Sequence, residues 1–144
     1  MRTTLVLAAL AALLVLAAPA SAKVKKLEST LKGSNEMPAA DPDGSGTAKL
    51  RLDAAKKRVC FTIRVKNVDG VAAAHIHAGG KNVASGSIVV DLIKAPADGP
   101  TFTGCTKHVK KALIRKILNH PRRYYVNVHT TEFPGGAVRG QLSK

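Results

Sequence analysis

The sequence has no tryptophan, two cysteines, nine acidic residues against 23 basic ones, and only one long apolar run, at its start. These shortages narrow the chemistry. There is no G-x-S-x-G elbow, the cysteines look committed to each other, and the nine carboxylates form no convincing general acid/base pair, all of which argues against a hydrolase. That first apolar run is shorter than the roughly 18 residues needed to span a bilayer and no second one follows, so a released protein is expected rather than a membrane one. Aromatic residues are few and no repeat of useful period is visible.

The start of the chain reads as a secretory signal peptide over residues 1–22. Arg2 is a short basic region, Leu5 to Ala18 is apolar, and Ala20-Ser21-Ala22 is a cleavage site of the A-x-A kind. A single secreted domain, extracellular or periplasmic, is expected over residues 23–144. In an exported domain of this size, Cys60 and Cys105 predict one disulfide. Without Arg2 the charge is 22 basic against 9 acidic, or +13. That excess favours an anionic cell-surface polymer or an extracellular protein as partner over a specific nucleic acid, with simple solubility as the alternative.

Short alternating runs separated by glycine and proline predict an all-β fold. Gly46 to Asp53 places Ala48, Leu50 and Leu52 on one face, and Arg58 to Asn67 does the same with Val59, Phe61, Ile63 and Val65. Ala54 to Lys57 between them has the length of a hairpin loop. Ser85 to Ile93 is almost continuously apolar, as expected of a central strand covered on both faces. Tyr124 to Phe133 predicts a strong strand, Gly136 to Ser143 a return beside it, and Lys23 to Gly33 a weaker early one.

One segment departs from that pattern. From Lys107 to Asn119, Val109, Leu113 and Ile117 recur every four residues, which predicts an amphipathic helix capped by Thr106 and stopped by Pro121. Its polar side, continued beyond the helix, carries Lys107, Lys110, Lys111, Arg115, Lys116, Arg122 and Arg123, a candidate surface for a polyanion or else a solvated face.

Asp41 to Gly46 has the spaced acids of a calcium loop, but the twelfth position is Leu52, so it reads as a turn. The histidines are more informative. His75 and His77 are one residue apart, and alternate residues on a strand share a face about 6.6–7 Å apart, a span two imidazoles can close on one ion. His129 shares a strand face with Tyr125, Asn127 and Thr131 and would complete a three-nitrogen set suited to copper or zinc with one position open. Alternatively, the imidazoles bond to backbone and to Asn127 or Thr131. His108 and His120, on or beside the helix, are expected to be exposed bystanders.

Asn35 to Pro38, Asp41 to Ala48, His75 to Gly79, Ser87 to Leu92 and Tyr124 to Leu142 together resemble the chordin-type (CHRD) domain of exported bacterial proteins. The resemblance covers nearly all of the expected mature chain. It implies an immunoglobulin-like Greek-key sandwich or barrel, with His75, His77, Asn127, His129, Gly135, Gly136, Arg139, Gly140 and Gln141 on motif positions, and no established activity. Two departures lie in loops: Gly86-Ser87 where Gly-Pro is common, and His120 between Asn119 and Pro121.

A more distant likeness is to copper/zinc superoxide dismutase, in which an H-x-H strand and a late histidine hold copper. By that analogy Arg139 resembles an arginine that guides the anionic substrate. No counterpart of that enzyme's metal-bridging histidine follows His77 before His108. The leading expectation is a non-catalytic binding module with a copper or zinc site at His75, His77 and His129, supported by Asn127, Arg139 and Thr131. Two rivals are an adhesion or matrix module acting through the basic helix and a copper-only dismutase-like oxidoreductase.

Overall fold

The computed structural model describes residues 24–144; the expected signal peptide lies outside them. Eight strands form one antiparallel sheet. They are β1 (Lys25–Lys32), β2 (Ser45–Asp53), β3 (Arg58–Lys66), β4 (Val71–Ala78), β5 (Ser87–Ile93), β6 (Thr101–Thr106), β7 (Tyr124–Thr130) and β8 (Val138–Gln141). Among the described residues a single α-helix, α1 (Lys111–Asn119), joins β6 to the 3-10 turn before β7.

The order across the sheet is β5-β4-β7-β8-β1-β2-β3-β6. The sheet nearly closes on itself, because the Thr106 hydroxyl of β6 donates to the Asp91 carbonyl of β5. The fold is therefore all-β and barrel-like, with one short helix.

Alternation explains what fills the interior. Leu50 and Leu52 of β2 stand opposite Phe61 and Val59 of β3, all buried, and the hairpin register is continuous from Ser45↔Lys66 to Asp53↔Arg58. Ala74 and Ile76 of β4 and Val126 and Val128 of β7 are each fully enclosed on the inner face. Each valine, leucine or isoleucine side chain taken out of water in this way stabilises the fold by about 1.5–3 kcal/mol before chain entropy is counted. Cys60 is paired directly with Cys105 across β3 and β6, and the two are disulfide-bonded.

Two expectations are corrected. The helix begins at Lys111, not Lys107, since Thr106 is still paired with Val59 and the Val109 amide donates to the Lys57 carbonyl in the β2–β3 turn. Thr106 therefore caps nothing, and Ile114 and Ile117 are the helix residues that enter the core.

The apolar run of β5 does not mark a central strand: β5 lies at the edge and leaves Ile88 53 % exposed. Two register shifts against β4 leave Val89 and Leu92 without partners, so the inward and outward positions cease to alternate and the run stays apolar.

Candidate metal centre

On the face opposite the core, β4 and β7 pair Ala73 with His129, His75 with Asn127, and His77 with Tyr125. One row further on, β8 sets Arg139 beside Asn127 and Gln141 beside Tyr125. These residues thus form a compact patch on the outside of the sheet. Segments from elsewhere cover it, so that Tyr125, Asn127, Arg139 and His77 are all buried.

The three expected histidines meet. Ring centres lie 4.9 Å apart for His75 and His129, 5.6 Å for His75 and His77, and 5.8 Å for His77 and His129. One ring nitrogen from each lies within 4.8 Å of the others.

The remaining ring nitrogens fix their orientation. His77 Nδ1 is 2.8 Å from the Gly86 carbonyl and His129 Nδ1 is 3.0 Å from that of Pro134, contacts each imidazole makes by donating its N–H. His75 Nε2 faces the Asp91 carboxylate at 3.9 Å. With those nitrogens carrying the protons, the lone pairs fall on His75 Nδ1, His77 Nε2 and His129 Nε2. These three are buried atoms without any hydrogen-bond partner. Three orphaned acceptors side by side are costly unless something electrophilic sits among them.

The charge state agrees. Burial, and after it the neighbouring His129 and His77, hold the His75 imidazole below its ordinary value, with Asp91 pulling the other way. Burial lowers His129 as well, against the Pro134 hydrogen bond that raises it, and His77 lowers it further. Imidazoles gathered with their unpartnered nitrogens together, each facing a carbonyl or carboxylate from behind, are the donor set that copper and zinc accept.

Around this set the expected supporting residues divide. Asn127 is 3 % exposed, between His75 and Arg139, with Oδ1 unpartnered. Thr131 does not join it: β7 ends at Thr130, and Thr131 is exposed in the following turn, its amide donating to the Gly70 carbonyl.

Arg139 joins it in a different role from the one the dismutase analogy suggests. The guanidinium is 2 % exposed and each of its nitrogens donates to a backbone carbonyl: Nε to Asn35 at 2.7 Å, Nη1 to Val83 at 2.9 Å, and Nη2 to Lys81 at 3.3 Å. It also lies over the Tyr125 ring, 4.8 Å from its centre, and His77 stacks on that ring at 5.0 Å. Arg139 therefore pins the connection between β4 and β5 onto the site, a buried group turned to backbone carbonyls rather than an exposed guide for an anion.

Sequence reasoning missed Glu36, Asp91, Gly86 and Pro134. Glu36 is 7 % exposed and 3.9 Å from Arg139, and burial pushes its carboxyl up to about 7 against the pull of the guanidinium. Gly136, at φ +135°, lets the backbone pass close by; a Cβ there would sit 2.6 Å from Asn127 Nδ2 and 2.7 Å from Glu36 Oε1. Gly86 and Pro134 act through carbonyls, which residue type does not signal. The expected cations, from Lys107 to Arg123, are all exposed on and around α1, and His108 and His120 are exposed too.

Among the described residues no helix is long and apolar enough to cross a membrane. The family profile of the CHRD domain matches residues 27–142. No curated protein and no solved structure matches the chain.

Proposed function

The chain belongs to the CHRD domain family, and on that footing we propose that it is an exported, non-catalytic binding module, residues 23–144, in which His75, His77 and His129 hold one copper or zinc ion. The observation that carries this reading is the set of three buried, unpartnered ring nitrogens. Three imidazoles would hold the ion and leave a position open for a small ligand. The chain's own part is to fix the tautomers through Gly86, Pro134 and Asp91, and to shut out bulk water with the segment that Arg139 pins.

The expected signal peptide and the disulfide support export to an oxidising compartment. A dismutase-like copper enzyme draws no support from Arg139, whose guanidinium is buried and bonded through each of its nitrogens to backbone carbonyls.

Calorimetric titration of the disulfide-bonded protein with copper(II) and with zinc(II) at neutral pH tests the reading. One ion per chain is expected, and none of comparable affinity in a His75→Ala/His77→Ala variant. Equal affinity in both would leave the histidines purely structural.

A second reading, adhesion to an anionic surface polymer through α1 and its flanks, rests on seven exposed cations without an acidic partner within 4.0 Å among the described residues. Salt-sensitive retention on phosphocellulose, lost when these cations are neutralised and kept in His75→Ala, is its signature.

A further inference from the structure

The helix is not the only basic surface among the described residues. Cross-strand pairing in β1, β2, β3 and β6 aligns their outward residues in rows, beginning with Lys26, Arg51, Cys60 and Cys105. Outward positions on this face carry Lys26, Lys32, Lys49, Arg51, Arg64 and Lys66, all exposed.

Of the nine acids in the chain only Glu28 and Asp53 fall in β1, β2 or β3. Glu28 answers Lys49 at 3.9 Å, and Asp53 is buried beside Arg58 at the hairpin end. The field over the face is thus positive, with neighbouring strands about 4.8 Å apart and successive outward residues about 6.6–7 Å apart.

What lies between the charges indicates the kind of polyanion. Thr30, Thr47, Thr62, Thr101 and Thr103 share the outward rows with the cations. Phe61 and Phe102 of these strands are buried on the inner face, so there is no aromatic platform on which bases could stack. None of the exposed large apolar residues among the described ones, Val24, Met37, Val83 and Ile88, belongs to these four strands, so the strands themselves offer no large exposed apolar side chain for insertion into a bilayer. Cations alternating with hydroxyls match a chain that alternates anionic groups with hydroxyls. A shallow depression on the face is lined by Lys26, Lys49, Arg51, Thr62, Thr103 and the disulfide, with Glu28 as its one acid.

We propose that the outward face of β1, β2, β3 and β6 binds a linear acidic polysaccharide. Its carboxylate or sulfate groups settle between cations on neighbouring strands, and its hydroxyls bond to the threonines. This surface uses none of the strands that carry the three histidines and does not depend on the metal reading.

The test compares two variants that each remove three exposed charges: Arg51→Gln/Arg64→Gln/Lys66→Gln on the face and Lys111→Gln/Arg115→Gln/Lys116→Gln on the helix. Binding of the disulfide-bonded protein to immobilised alginate and to heparin is measured from 50 to 300 mM NaCl, beside neutral dextran, duplex DNA and phosphatidylglycerol vesicles. The expected result is a loss of at least tenfold for the face variant on both acidic polysaccharides, with less than a threefold loss for the helix variant and none retained on dextran.

Equal losses in the two variants would show general charge attraction and overturn the proposal. A larger loss in the helix variant would move the surface to α1. Tighter binding of the wild-type protein to DNA or vesicles than to alginate at equal salt would also overturn it, as would no binding to either polysaccharide.

Discussion

His75 and His129 stand diagonally across β4 and β7 with ring centres 4.9 Å apart, and each is held below the ordinary histidine value chiefly by burial. A metal competes with protons for imidazole nitrogen, so lowered values move that competition to lower pH. Zinc affinity should change little between pH 7.5 and 6.5, where an exposed histidine site already weakens, and fall only below that. Calorimetry across pH 5–8, with an exposed His-x-His peptide as comparator, checks this.

The same two residues make the metal-free protein acid-sensitive. As pH drops below about 6.5, the unfolded chain takes up protons that His75 and His129 in the folded state still refuse. The unfolded state then binds more protons, so stability declines as pH falls through the lowered folded values. Urea midpoints at pH 7.5 and 5.5 should separate for the wild-type protein and draw together in His129→Gln.

Glu36 contributes with the opposite sign. Its folded carboxyl is raised to about 7 from 4.5, so between those values the folded state keeps a proton that the unfolded chain releases. This contribution is greatest at low pH and is lost as pH rises through 7. Glu36→Gln should flatten that part of the profile; an unchanged slope between pH 5 and 8 would mean that the carboxyl titrates normally.

Arg139 is the site's main brace. Arg139→Met removes one partner of a buried pair and frees the carbonyls of Lys81 and Val83, with an expected cost of about 3–5 kcal/mol. Hydrogen exchange over residues 79–86 should quicken, and zinc affinity should fall because His77 loses its anchor at Gly86. The double variant Glu36→Gln/Arg139→Met should recover part of the lost stability, since it leaves no unpaired charge behind.

Replacing both Cys60 and Cys105 by alanine opens a link between residues 45 positions apart and should cost about 2–4 kcal/mol. Denaturant titration of the variant against the oxidised wild-type protein measures it.

The contrast between β3 and β5 shows what sequence pattern conveys. Val59, Phe61, Ile63 and Val65 alternate without interruption, and the hairpin register follows from them. In β5 the bulges at Val89 and Leu92 break the alternation, and an edge strand looks like a central one. His75 and His77 were legible as a pair because spacing along one strand decides it. That β4 lies beside β7, and so brings His129 to them, is a long-range pairing with no local signature. Glu36 was hidden for the same reason: 103 residues separate it from Arg139, and its own neighbours do not show that it is buried.

Asp91 holds two positions at once. Its carbonyl receives the Thr106 hydroxyl that draws the two free edges of the sheet together, and its carboxylate faces the outer nitrogen of His75. Thr106 in turn follows the disulfide's Cys105 in the chain. The barrel is therefore shut by a clasp with an imidazole at one end and a covalent crosslink at the other. The residue that backs the His75 ring is thus the same one that closes the seam.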